Sequence, residues 1–151
     1  MHDIGNAINR VDHAHSGAIL AYEILKNMGM DIKEKLWRLL ETMMNQHGTS
    51  VSDISAALIL ADKSDVHRER VRNTNISKFD KHDKVNYAVT NTEFIVNNDK
   101  KKVTLSLLMD TEMCSILDYF EIYMDRTIMS KNAAKYLNIE YELIINGTKL
   151  L

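Results

Sequence analysis

The stretch that decides the fold is Val103-Thr104-Leu105-Ser106-Leu107-Leu108-Met109. Val103, Leu105, Leu107 and Met109 alternate with Thr104, Ser106 and Leu108, the period of two that a half-buried strand needs. Upstream, Asn97-Asn98-Asp99-Lys100 supplies turn chemistry, and Phe94 to Val96 predicts a partner strand. Downstream, Met113, Ile116, Leu117, Phe120, Met124, Ile128 and Leu137 mark a long helix, with Cys114 in its core beside Met113 and Leu117. Tyr141, Leu143 and Ile145 alternate again before Asn146-Gly147 closes the element.

Before residue 90 the period is helical. Ala18, Ala21, Tyr22, Leu25 and Met28 recur at spacings of three and four, and Gly29 follows as a C-cap. Asp31 and Glu34 form a capping box for a second helix, whose apolar side is Ile32, Leu36, Leu39, Leu40 and Met43. After the polar break Asn45 to Ser50, Ser52 or Asp53 caps a third helix carrying Ile54, Ala57, Leu58 and Ala61. A shorter fourth helix holds Val85, Ala88 and Val89. These readings predict a mainly α protein. Residues 1–90 form the helical domain, and residues 91–151 form a small antiparallel α+β appendage in the order strand-strand-helix-strand.

Composition narrows the function classes. The chain has 151 residues, 45% of them hydrophobic and 26% charged, so it can fold without disulfides or a structural metal. A net charge of −2 gives no global basic field for nucleic acid or for an anionic membrane. Cys114 is the single cysteine and fits a reducing cytoplasm. No apolar run approaches the roughly 18 residues of a membrane span, and the first residues lack a signal-peptide core.

The chemistry gathers around histidines and one aspartate. Asp62 continues a helical stripe through Ile54, Leu58 and Ala61, where a carboxylate is costly unless paired or bound to a cation. Asp65 extends the same side, and the bland alternative is that both acids reach solvent or pair with Lys63 and Arg68. His2-Asp3 supplies an imidazole and a carboxylate side by side, a donor pair suited to Mn, Fe, Co, Ni or Zn. His13 and His15 point to different faces of one helix, so they do not share an ion; the alternative is helix-start decoration with Asp12 as cap. His47 lies in the polar break. The cations Lys63, His67, Arg68, Arg70 and Arg72 suit a phosphate ester, or simply a solvated helix end.

His2-Asp3-Ile4-Gly5-Asn6, followed by Ala57-Leu58-Ile59-Leu60-Ala61-Asp62-Lys63-Ser64-Asp65, resembles the HD superfamily of metal-dependent phosphohydrolases. His2 and Asp3 match the family's His-Asp pair and Asp62 its distant aspartate. The segment Asn9 to Ala18 looks like the place where dinuclear members carry a further ligand, which gives that role to His13, and His47 lies where another histidine is carried. Arg68 to Asn73, Phe79 to Tyr87 and Glu142 to Gly147 look like an uncharacterised prokaryotic subgroup. The resemblance implies an HD-domain helical bundle, N-terminally incomplete because the family's first histidine lies upstream of its His-Asp pair.

It also implies one or two divalent ions (Mn, Fe, Co, Ni, Zn or Mg) on His2, Asp3, His13, His47 and Asp62. Asp3, Asp62 and Lys63 would be catalytic, with Lys63 and Arg68 on the substrate phosphate. The expected activity is hydrolysis of a nucleotide or another phosphoester in the cytoplasm. The rival expectation is a catalytically degenerate HD-fold module that binds a ligand or regulates. Nucleic acid ranks last among the partners, no membrane is expected, and a homo-oligomer is compatible with the reading.

Overall fold

The computed structural model describes residues 4–8, 13–30, 50 and 52–151. The chain opens with a 3-10 turn at Ile4–Ala7, followed by helices α1 (His13–Asn27) and α2 (Asp53–Lys63). Two further 3-10 turns, Arg68–Arg70 and Ile76–Lys78, lead to helix α3 (Lys81–Ala88). Strands β1 (Val89–Asn97) and β2 (Lys102–Met109), helix α4 (Ile116–Tyr136), and strands β3 (Glu140–Ile145) and β4 (Thr148–Lys149) complete the order. The helix predicted over Ile32 to Met43 lies outside the described residues. None of the described helices is long and apolar enough to cross a membrane.

The expected mainly helical bundle with a small antiparallel appendage is not what forms. The protein is an α+β fold built on a four-stranded mixed sheet of order β1-β2-β3-β4. β1 and β2 pair antiparallel through the turn after Asn97, whose Oδ1 accepts the Lys100 N–H at 2.9 Å. β2 and β3 pair parallel. The 21-residue helix α4 is the reason: a helical crossover carries the chain back to its starting edge, so the next strand runs the same way. β3 and β4 return to an antiparallel pair around Asn146 and Gly147, both at positive φ (51° and 78°), the two-residue turn that suits a twisted hairpin.

The sheet and helices α2, α3 and α4 share one core, while Ala18 and Ala21 of α1 form a separate small cluster. Thr92, Phe94 and Val96 register with Leu107, Leu105 and Val103, which in turn register with Ile145, Leu143 and Tyr141. Phe94 and the β2 and β3 members of this set belong to the core, with Ala56, Ile59, Leu60, Val85 and Ala88, whereas Val96 at the strand's end is exposed. Val89, expected at a helix end, is the buried first residue of β1.

The helix faces are turned from the sequence expectation. On α2 the buried residues are Ser55, Ala56, Ile59 and Leu60, whereas Ile54 is 70% exposed. On α4 the buried set is Tyr119, Tyr123, Thr127, Met129, Ser130, Ala133 and Ala134. Hydroxyl groups explain the difference. Asn86 Nδ2 donates to the Tyr123 hydroxyl at 2.7 Å, and Thr127 Oγ1 donates to the Tyr123 carbonyl at 2.9 Å. A ring buried with its polar tip satisfied is as much a core residue as a leucine.

Candidate functional site

The site begins at the C-terminal end of α2. Ser52 caps that helix through a reciprocal pair with Ser55, at 3.2 and 3.0 Å. Ala56, Ile59 and Leu60 anchor the helix in the core, so its last turn is held firmly. Asp62 and Lys63 occupy that turn. Their side chains are 23% and 17% exposed and form an ion pair.

Beyond the helix the chain folds around Asp65. Arg70 Nη1 donates to the Asp65 carboxylate and, at 2.7 Å, to its carbonyl. Arg126 reaches toward the same carbonyl from α4, 3.5 Å away, with its guanidinium 4.8 Å from the centre of the Tyr123 ring. His67 Nδ1 accepts the Glu69 N–H at 3.2 Å, which leaves Nε2 to carry the proton toward the Thr90 carbonyl, also 3.2 Å away. Two backbone partners thus orient the ring. Val66 is buried, and its carbonyl accepts the Thr92 hydroxyl.

An open cleft of about 510 Å³ lies here, between Ser64–Arg70 and the β1 residues Thr92 and Phe94. Of the five cations read from the sequence, His67 and Arg70 line it. Lys63 is engaged by Asp62, and Arg72 is exposed. Arg68 lies 5.1 Å over the Tyr87 ring, and its Nε is buried without a hydrogen bond among the described residues. Arg126 and Thr92 were not singled out from the sequence, and Phe94 was read there only as a strand residue. Arg126 is 61 positions from Asp65, and no local spacing signals a contact that only the fold creates.

The N-terminal part of the expected site is described at two points. His13 is the half-buried first residue of α1. Gly5 is buried against it: a Cβ on Gly5 would lie 1.6 Å from the His13 carbonyl oxygen and 2.5 Å from the Gly17 nitrogen. The turn that follows Asp3 therefore rests directly on the first turn of α1. His2, Asp3 and His47 lie outside the described residues. Among the described residues no three His, Cys, Asp or Glu side chains form a group able to hold an ion.

Comparison with known proteins gives no match: no family model, no curated protein and no solved structure matches this chain.

Proposed function

We propose that this chain is a metal-dependent phosphohydrolase acting on a nucleotide or another phosphoester. The observation that carries the reading is the seat of Gly5 on His13. It seats the turn at Ile4–Ala7 on the helix turn that bears His13, a candidate ligand, and His2 and Asp3 immediately precede that turn in the sequence. Asp62 is a half-buried carboxylate paired with the Lys63 ammonium, so holding an ion there means exchanging that partner for the metal.

The donor chemistry fits a divalent ion of the Mn to Zn series, since imidazole and carboxylate are its usual ligands. His2, Asp3 and Asp62 would hold one ion, and His13 with His47 a second. An ion there would acidify a water and offset charge on the phosphoryl group. The remaining work falls to the chain's own residues. Lys63, released from Asp62, would meet a phosphate oxygen as a point charge, and Arg68 would give a planar donor fork. Asp3 and Asp62 would keep the site anionic enough to retain the cation. A cytoplasmic setting is part of this proposal, and so is a small phosphorylated substrate in preference to nucleic acid.

The test is hydrolysis of a generic phosphomonoester and phosphodiester with Mn added. The expected result is turnover that falls by about 100-fold or more in Asp62→Ala. Equal turnover in the variant would remove Asp62 from the site. Nucleotide binding with no turnover would instead make the chain a ligand-binding or regulatory module.

A further inference from the structure

Helix α4 carries two apolar sides, and the fold uses one of them. Leu117 is 77% exposed, Met124 46% and Ile128 48%. They recur with the half-buried Phe120 at helical spacing along the outer side of α4, opposite the tyrosines that enter the core. Leu150 and Leu151 border the same side, where Phe120, Met124, Ile128 and Lys131 line a groove of about 300 Å³. A row of four large apolar side chains on one helix is more exposed surface than scattered single residues account for.

Charge decides what covers it. The first half of α4 bears the exposed acids Asp118, Glu121 and Asp125, and the second half bears the exposed bases Lys131 and Lys135. Glu121 pairs with Lys81 and Asp118 accepts from Ser115 at the helix start, whereas Asp125, Lys131 and Lys135 make no ion pair among the described residues. A parallel neighbour would set acids on acids. An anionic membrane would repel the acidic half, since membrane-surface helices carry cations along their polar side. An antiparallel copy of the same helix places each acidic half against a basic half.

We propose that this side of α4 is a self-association surface, on which two copies of the chain pair through antiparallel α4 helices. The two-fold axis passes near Met124. Seven residues on either side span about 10.5 Å, so Leu117 meets the stem of Lys131 in the second copy. Phe120 then faces Ile128, and the Lys131 ammonium comes within reach of Glu121 one turn away, beside its Lys81 partner. Such an isologous contact closes at two copies and covers the apolar side of α4 in both.

Sedimentation velocity of the 151-residue chain over a range of concentrations tests this. The expected result is a monomer–dimer equilibrium. Met124→Glu should weaken it by at least about 10-fold, as one hot-spot truncation does. Its melting curve should stay close to wild type, because Met124 is not in the core. Lys131→Glu should weaken the dimer as well, and Glu121→Lys in the same chain should restore it. In a Cys114→Ser background, Met124→Cys should oxidise to a cross-linked dimer, while Tyr136→Cys at the far end of the helix should not. A chain that stays monomeric at every concentration overturns the proposal. So does a dimer that Met124→Glu leaves intact, and so does a monomeric chain whose α4 side binds anionic vesicles.

Discussion

The sheet and the N-terminal turn are held by opposite means. In the sheet, Leu105, Leu107, Leu143 and Ile145 are at most 2% exposed and fill space with large side chains. At the N-terminus the buried residues among those described are Gly5, Gly17, Ala18 and Ala21, and Gly5 sits directly on the backbone of α1. One region fails by losing atoms and the other by gaining them. The sheet fills the core, and the turn packs on the start of α1, so damage to the two should read out differently.

The largest effect should come from a cavity in the sheet. Leu143→Ala removes a fully buried side chain on the central strand pair and should cost about 2–5 kcal/mol in denaturant unfolding. Gly5→Ala should cost less globally, about 1–3 kcal/mol, because the clash with His13 is local. Its signature is faster amide exchange over residues 13–17 with the sheet still protected. A global loss as large as that of Leu143→Ala would mean that the two regions unfold together.

Asn146→Ala comes next. Asn146 holds a left-handed turn position, and its amide bridges the Met109 N–H and C=O at 2.7 and 2.9 Å. Losing both bonds should cost about 1–2 kcal/mol with little change in exchange at α1.

The smallest effect is a pH dependence confined to the sheet and its covering helix. Lys102, Lys149 and Thr104 hydrogen-bond Glu142 and hold its carboxyl down to about 2 from 4.5. A lowered folded value stabilises above the unfolded one, so this contribution is present above pH 4.5 and lost as pH falls toward 2. Glu142→Gln should flatten the acid limb of the stability profile. At the other end, burial pushes Tyr119 up to about 12 from 10, and raises Tyr141 as well. Raised groups stabilise below pH 10 and lose that contribution above it, so alkaline melting should steepen there.

Legibility in the sequence follows the same division. The alternation Val103 to Met109 marks β2 because side chains on a strand have no other way to reach the core. Gly29, at φ 72°, closes α1 with the Met30 N–H on the Leu25 carbonyl at 3.1 Å, a signal carried by one residue type. Strand direction was not legible, since alternation is the same in parallel and antiparallel pairs. Nor were the inner sides of α2 and α4. Counting aliphatic residues points to Ile54 and Leu117, yet the core takes Ser55, Tyr119 and Tyr123 and satisfies their hydroxyls. The Asp62–Lys63 pair is adjacent in sequence and could be anticipated. Arg126 beside Asp65 could not, because α4 brings it there from the other half of the chain.

Binding of Mn to the wild-type chain and to Asp62→Ala, followed by calorimetric titration, tests the functional account most directly. The account predicts saturable binding by the wild type, with one or two ions per chain, and an affinity lowered by at least about 10-fold in the variant. Superimposable isotherms for the two proteins would contradict it.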